Sequence, residues 1–110
     1  MAEFVKGEVV VVPFPFSDLS QTKKRPAFVV TSFEDDDLIL CQITSKTIKD
    51  DYSISIPEDA FEYGSLNQTS NIRPNRIFTA DKQLILYKIG KLKAEEISEV
   101  VERIIEIIRK

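Results

Sequence analysis

Histidine is absent from this chain, and the absence removes much catalytic chemistry at once. No imidazole is available to activate a serine or cysteine nucleophile, or to carry a proton at neutral pH. Cysteine occurs once, at Cys41. A single thiol excludes an intramolecular disulfide and fits a reducing cytoplasm. Lying in Leu38-Ile39-Leu40-Cys41, it reads as a core residue rather than a nucleophile. The longest apolar stretch, Val9 to Phe16 with its prolines, is far too short for a membrane span, and no signal peptide is visible. Internal repeats and low-complexity tracts are lacking too. There is no excess of positive charge: 15 Lys and Arg stand against 18 Asp and Glu, a net of −3. No global field therefore draws the chain to nucleic acid, and any such site must be a local patch.

What is present suits one ordinary folded domain over residues 1–110, with 43% apolar and 30% charged residues. The chain is organised around Lys23-Lys24-Arg25-Pro26-Ala27-Phe28-Val29-Val30-Thr31-Ser32. Pro26 pushes Arg25 into an extended conformation and withholds a ladder donor, as suits the first position of a strand. The residues after it are apolar or β-branched, so a buried strand is expected over Ala27 to Ser32. Arg25 then sits where a polar loop, Ser17 to Lys24, meets a rigid sheet.

Glu8 to Phe16 reads as the first strand, with Pro13 and Pro15 placing its end at an edge or barrel rim. Glu34-Asp35-Asp36-Asp37 is a solvated hairpin tip leading to a strand over Leu38 to Thr44. Its adjacent aspartates point apart on a tight turn, so no metal is expected there. Tyr52 to Ile56 alternates as a strand with one wet face. Glu58 to Thr69 is a loop with one helical turn near Asp59 to Phe61. A strand follows over Asn71 to Thr79, where Pro74 calls for an edge or a bulge. Asp81 to Leu84 is a single turn, and Tyr87 to Leu92 a last short strand. Ala94 to Lys110 is a long amphipathic helix with Ile97, Val100, Val101, Ile104, Ile105 and Ile108 on the apolar stripe and Ile107 off it. Short strands followed by one such helix predict an α+β fold, a small curved barrel with the helix packed on it.

Neighbouring antiparallel strands would bring Arg25 across the ladder from Thr44. An arginine beside a hydroxyl can grip an oxyanion or phosphate: fork donors for two oxygens and an O–H for a third. Gln42 and Ser45 accompany Thr44, and Arg73, Asn75 and Arg76 lie on the later strand. Chemistry at such a site would rest on charge stabilisation rather than on a tuned imidazole.

These residues carry a resemblance. Gly7-Glu8-Val9-Val10, Pro13-Phe14-Pro15-Phe16-Ser17-Asp18, Lys24-Arg25-Pro26-Ala27 and Cys41-Gln42-Ile43-Thr44-Ser45 resemble the MazF/PemK-like toxin family. Ile72-Arg73-Pro74, Phe78-Thr79-Ala80-Asp81-Lys82 and Lys88-Ile89-Gly90-Lys91-Leu92 continue it, so it spans nearly the whole chain. The resemblance implies a homodimeric SH3-like barrel acting in the cytoplasm. It implies a metal-independent endoribonuclease, without cofactor, on single-stranded RNA. A cognate antitoxin would cover the RNA groove, with DNA met only indirectly through it and no membrane involved. It puts the catalytic roles on Arg25, Thr44 and Arg73. Lys24, Gln42, Ser45, Asn71, Asn75 and Arg76 are the substrate-binding candidates. Two departures stand out: Asn75 replaces the carboxylate some members carry two residues after the later arginine, and the loop histidine of some members is missing. A catalytically degenerate barrel that only binds nucleic acid or protein is the alternative, and a structural dimerisation domain a third.

Overall fold

The structure, a computed structural model, describes residues 3–14 and 23–110. The expected loop Ser17 to Lys24 therefore lies outside the described residues, except for its last two positions. Among the described residues the strands are β1 (Glu8–Phe14), β2 (Lys23–Ser32), β3 (Asp37–Thr44), β4 (Ile54–Ile56), β5 (Phe61–Gly64), β6 (Ser70–Asp81) and β7 (Tyr87–Leu92), followed by helix α1 (Ala94–Ile108). They form one antiparallel sheet in the order β4-β6-β3-β2-β1-β7-β5. The sheet curls into a half-barrel closed by the helix, as the strand and helix patterning predicts.

Alternation along the strands puts a core on each face of this sheet. Val9, Phe28, Cys41, Ile43, Ile72 and Leu92 meet Val100 and Ile104 of α1 on one side. Val10, Val12, Ala27, Val29, Leu38 and Leu40 pack with Phe4 and Ala80 on the other. Val9 thus faces one core and Val10 and Val12 the other, with Val11 buried beside them, which explains why the run lacks a polar alternate. Cys41 is fully buried, and burial pushes its thiol up to about 12, so it stays protonated and inert. Glu8 is a buried carboxylate that accepts the Val5 N–H at 2.7 Å and pairs with Lys88 at 3.0 Å, pinning the chain before β1 to β7.

Prolines mark the places where pairing stops. β1 pairs with β7 only as far as Val11, so Pro13 lies on a stretch flanked by β2 alone, at the rim. Pro26 pairs with Val11, and the ladder to β3 begins one residue later, at Ala27. Pro26 is not the first residue of its strand, as expected, but the fourth. Lys23 and Lys24 belong to β2 and not to the loop. On β6 the register jumps from Gln42↔Arg73 to Cys41↔Ile77, so Pro74, Asn75 and Arg76 form a bulge with no partner on β3.

Three further differences have local causes. Tyr52 and Ser53 do not join β4, because Asp50 accepts both of their backbone N–H groups in a turn. Phe61–Gly64, read as loop, is strand β5 on the edge of the sheet. It approaches β7 closely where Gly64, at φ +85°, opposes Gly90, and a Cβ on either glycine would strike the facing backbone. In α1 the stripe leans the other way at its end. Ile107 is half-buried while Ile108 is 66% exposed, because Val100, Ile104 and Ile107 follow the i, i+4, i+7 rule on the side facing the sheet. Lys93 precedes the helix without a side-chain cap. Among the described residues no helix is long and apolar enough to cross a membrane.

Candidate active site

The β2–β3 ladder pairs Phe28 with Cys41 and Ala27 with Gln42. Carried two residues further, the same register brings Arg25 opposite Thr44. On the next strand Thr44 itself opposes Asn71, and Asn71 opposes Ser55 of β4. A polar row therefore crosses four strands at one end of the sheet.

Arg25, Thr44, Lys24 and Ser45 line one cleft of about 310 Å³ at this end. Residues of both sheet faces meet at this rim, and Val11, Pro26, Ile43, Leu66, Asn67, Gln68, Ser70, Tyr87 and Ile89 complete the lining. Arg25 and Thr44, which the sequence reading set across the ladder from each other, thus line the same cleft. Arg25 is half-buried and, among the described residues, has no hydrogen bond or ion pair. Among the described residues, then, its guanidinium donors have no partner. The Thr44 hydroxyl oxygen accepts the Lys46 N–H at 3.1 Å. That bond occupies a lone pair and leaves the hydroxyl proton free to donate. Two kinds of donor, one of them cationic, stand at one end of the sheet beside apolar and amide side chains: the combination suits a phosphate flanked by unstacked bases.

The other expected residues are placed differently. Asn71 is engaged at both ends, its amide nitrogen donating to the Lys46 carbonyl at 3.2 Å and its oxygen accepting from Ser55 Oγ at 3.3 Å. It braces the Thr44–Lys46 turn. Arg73 opposes Gln42 on β6 and lies outside the cleft lining, paired with Asp50 at 3.4 Å. Its Nε is buried without a hydrogen-bond partner among the described residues. Asn75 and Arg76 are exposed on the bulge, and neither they nor Gln42 lines the cleft.

Sequence reasoning missed Tyr87 and the Leu66–Gln68 segment. Tyr87 was read only as the start of a strand, yet it is 52% exposed beside the cleft. Leu66, Asn67 and Gln68 also line an adjoining depression of about 450 Å³ with Ile56, Pro57 and Phe61. Nothing periodic marks this loop; the only available signal was its pair of amides in an otherwise structureless stretch. A third depression, of about 400 Å³, is bordered by Glu34, Asp35 and Asp36. That acidic rim would repel phosphate, whereas the first cleft would attract it.

The model of a family described as "PemK-like, MazF-like toxin of type II toxin-antitoxin system" matches residues 5–108. No curated protein matches the chain in sequence. Among solved structures, MazF (Form-I) from Deinococcus radiodurans is similar with a TM-score of 0.79 at 15% identity, covering 100% of each chain. An endoribonuclease in complex with its cognate antitoxin, from a mycobacterial species, gives 0.75 at 13% identity over 97% of this chain and 96% of that one. The Mycobacterium tuberculosis toxin MazF-mt6 gives 0.70 at 17% identity, over 93% and 96%. At such identities the likeness shows a shared fold.

Proposed function

Because this chain belongs to the PemK-like, MazF-like toxin family of type II toxin–antitoxin systems, we propose that it is a toxin endoribonuclease whose Arg25–Thr44 cleft cleaves single-stranded RNA. The observation that carries the reading is the shared lining: a half-buried arginine, unpartnered among the described residues, and a hydroxyl that accepts the Lys46 N–H border one cleft. The similar mycobacterial structure is named as an endoribonuclease bound to its cognate antitoxin.

In this reading a ribose 2′-oxygen attacks the phosphorus of its own 3′-phosphate. The 2′-hydroxyl proton passes to solvent, the P–O5′ bond breaks, the leaving oxygen takes a proton from solvent and becomes a 5′-hydroxyl, and the other fragment keeps a 2′,3′-cyclic phosphate. Arg25 neutralises the charge that builds on the non-bridging oxygens. Thr44 donates to one of them, and Lys24 and Ser45 hold flanking backbone. Tyr87 offers an exposed ring to an unstacked base. Arg73 adds a second cation on the same face of the sheet. Since the nucleophile comes from the substrate, no metal-bound hydroxide is required.

The partner follows from the same charges. A cleft with Lys24 and Arg25 at its rim accepts an acidic antitoxin segment, which would inhibit by competing with RNA. Asn75 favours the runner-up, a barrel that binds RNA without cutting it, because an amide cannot act as a base at neutral pH. Incubating purified protein with a varied set of single-stranded RNAs in excess EDTA separates the two. The nuclease yields 2′,3′-cyclic phosphate and 5′-hydroxyl ends; a binding module retains the RNA intact.

A further inference from the structure

We infer that Asp50 is a positioning residue for this chemistry, holding the Arg73 guanidinium on the sheet face that carries Arg25 and Thr44 by way of a turn fastened to helix α1. The inference rests on the nuclease reading of the Arg25–Thr44 cleft and assigns a role to a carboxylate that lies outside it.

The face is settled by register. Directly opposed residues share a side of a sheet, and so do alternate residues along a strand. Gln42 opposes Ala27 on one neighbour and Arg73 on the other, while Thr44 opposes Asn71. Arg25, Thr44, Asn71 and Arg73 therefore project to the same side, opposite the core that contains Ile43 and Ile72.

Asp50 is held more firmly than the arginine it meets. Its Oδ1 accepts the Tyr52 and Ser53 backbone N–H groups, both at 2.9 Å. Its Oδ2 is left to accept from the Arg73 fork at 3.4 Å. The turn is fixed in its own right: Arg103 of α1 donates to the carbonyls of Asp51 at 3.2 Å and Tyr52 at 3.0 Å. Lys110 sits over the Tyr52 ring, 5.1 Å from its centre. The backbone bonds from Ser53 and Tyr52, with a smaller contribution from Arg73, hold the Asp50 carboxyl below its ordinary range, so it is ionised at neutral pH. A fixed anion beside a long cationic side chain sets where that side chain rests.

Arg73 gains little else from its surroundings. One fork nitrogen reaches Asp50, Nε is buried with no partner among the described residues, and the remaining donors stay available to an incoming phosphate. The pair is a single contact at 3.4 Å between side chains 17% and 25% exposed. Its consequence is orientation, and orientation is what a charge-stabilising arginine needs.

Asp50→Asn isolates the effect. An asparagine oxygen still accepts both turn N–H groups, so the turn survives while the charge facing Arg73 is lost. The test is a cycle of wild type, Asp50→Asn, Arg73→Ala and the double variant. Each is read as cleavage kcat and KM and as affinity for an RNA made uncleavable by one deoxyribose at the cut. We expect Asp50→Asn to lower kcat roughly 10-fold, within the range a misplaced group costs. KM should not rise, because a negative charge near the RNA has been removed. In the Arg73→Ala background the same substitution should change kcat by less than about twofold. An equal loss in both backgrounds, or none in the wild type, overturns the assignment. If the wild type cuts no RNA while the affinity cycle still couples Asp50 to Arg73, the nuclease reading falls and the positioning role stands.

Discussion

Arg25 and Thr44 stand nineteen positions apart in the chain and come to one cleft because β2 and β3 are antiparallel neighbours whose ladder ends two residues short of them, at Ala27↔Gln42. That meeting was legible: Pro26 marked the strand entry, and the hairpin did the rest. The link from Asp50 to Arg73 was not, since it joins a turn to a strand 23 residues away, and no periodicity relates them. Nor was the bracing of Thr44 by Asn71 through the Lys46 carbonyl, which depends on where a side-chain amide points. The roles differ accordingly under substitution. Arg25→Ala is expected to lower the cleavage rate on the order of 10²-fold, the loss that follows removal of one donor to a developing oxyanion. Thr44→Val should fall in the same direction, because valine matches the shape but has no proton to donate. Thr44→Ser should retain most activity. Single-turnover rates on one RNA oligonucleotide decide this, and a Thr44→Val rate equal to wild type would remove the hydroxyl from the account.

Helix α1 shows how far element patterning reaches. Its start at Ala94 and its apolar stripe were evident from spacing, but which edge of the stripe faces the sheet at the last turn was not. A stripe with isoleucine at both 107 and 108 fits either choice. Tertiary packing made it by turning Ile107 inward. Val100→Ala should therefore cost about 2 kcal/mol of stability, as burial of a fully covered aliphatic implies. Ile108→Ala should stay within about 0.5 kcal/mol. Chemical denaturation of the two variants gives the comparison. Strand β5 escaped detection for the opposite reason: four residues ending in glycine carry too little pattern, and the Gly64–Gly90 approach that docks them is a tertiary fact. The first turn of α1 adds a pH signature. Partial burial raises the Glu96 carboxyl above its ordinary value, and the charges of Glu99, Glu95 and Asp59 add to the effect. A carboxylate whose folded pKa is raised weakens the fold as pH climbs through that value. Glu96→Gln should thus raise the melting temperature at pH 7, and the gain should vanish as pH drops below about 4.5.

At the scale of the molecule, the curled sheet gathers donors at one end while the net charge stays at −3, so the proposed RNA binding rests on the cleft and not on a global field. Leu84, Leu86 and Tyr87 are exposed close together in the chain, and Tyr87 lines that cleft. Apolar neighbours of this kind suit coverage by a second copy of the chain, and we expect a homodimer at micromolar concentration. Sedimentation equilibrium returning the mass of one chain would exclude it. The account stands or falls on the substrate's own hydroxyl as nucleophile. Replacing the single ribose on the 5′ side of a mapped cut with deoxyribose removes that hydroxyl and almost nothing else. The account predicts that cleavage at that bond ceases while affinity stays nearly unchanged, since one hydroxyl among many phosphate contacts contributes little. Continued cleavage of the substituted RNA at the same bond would contradict it.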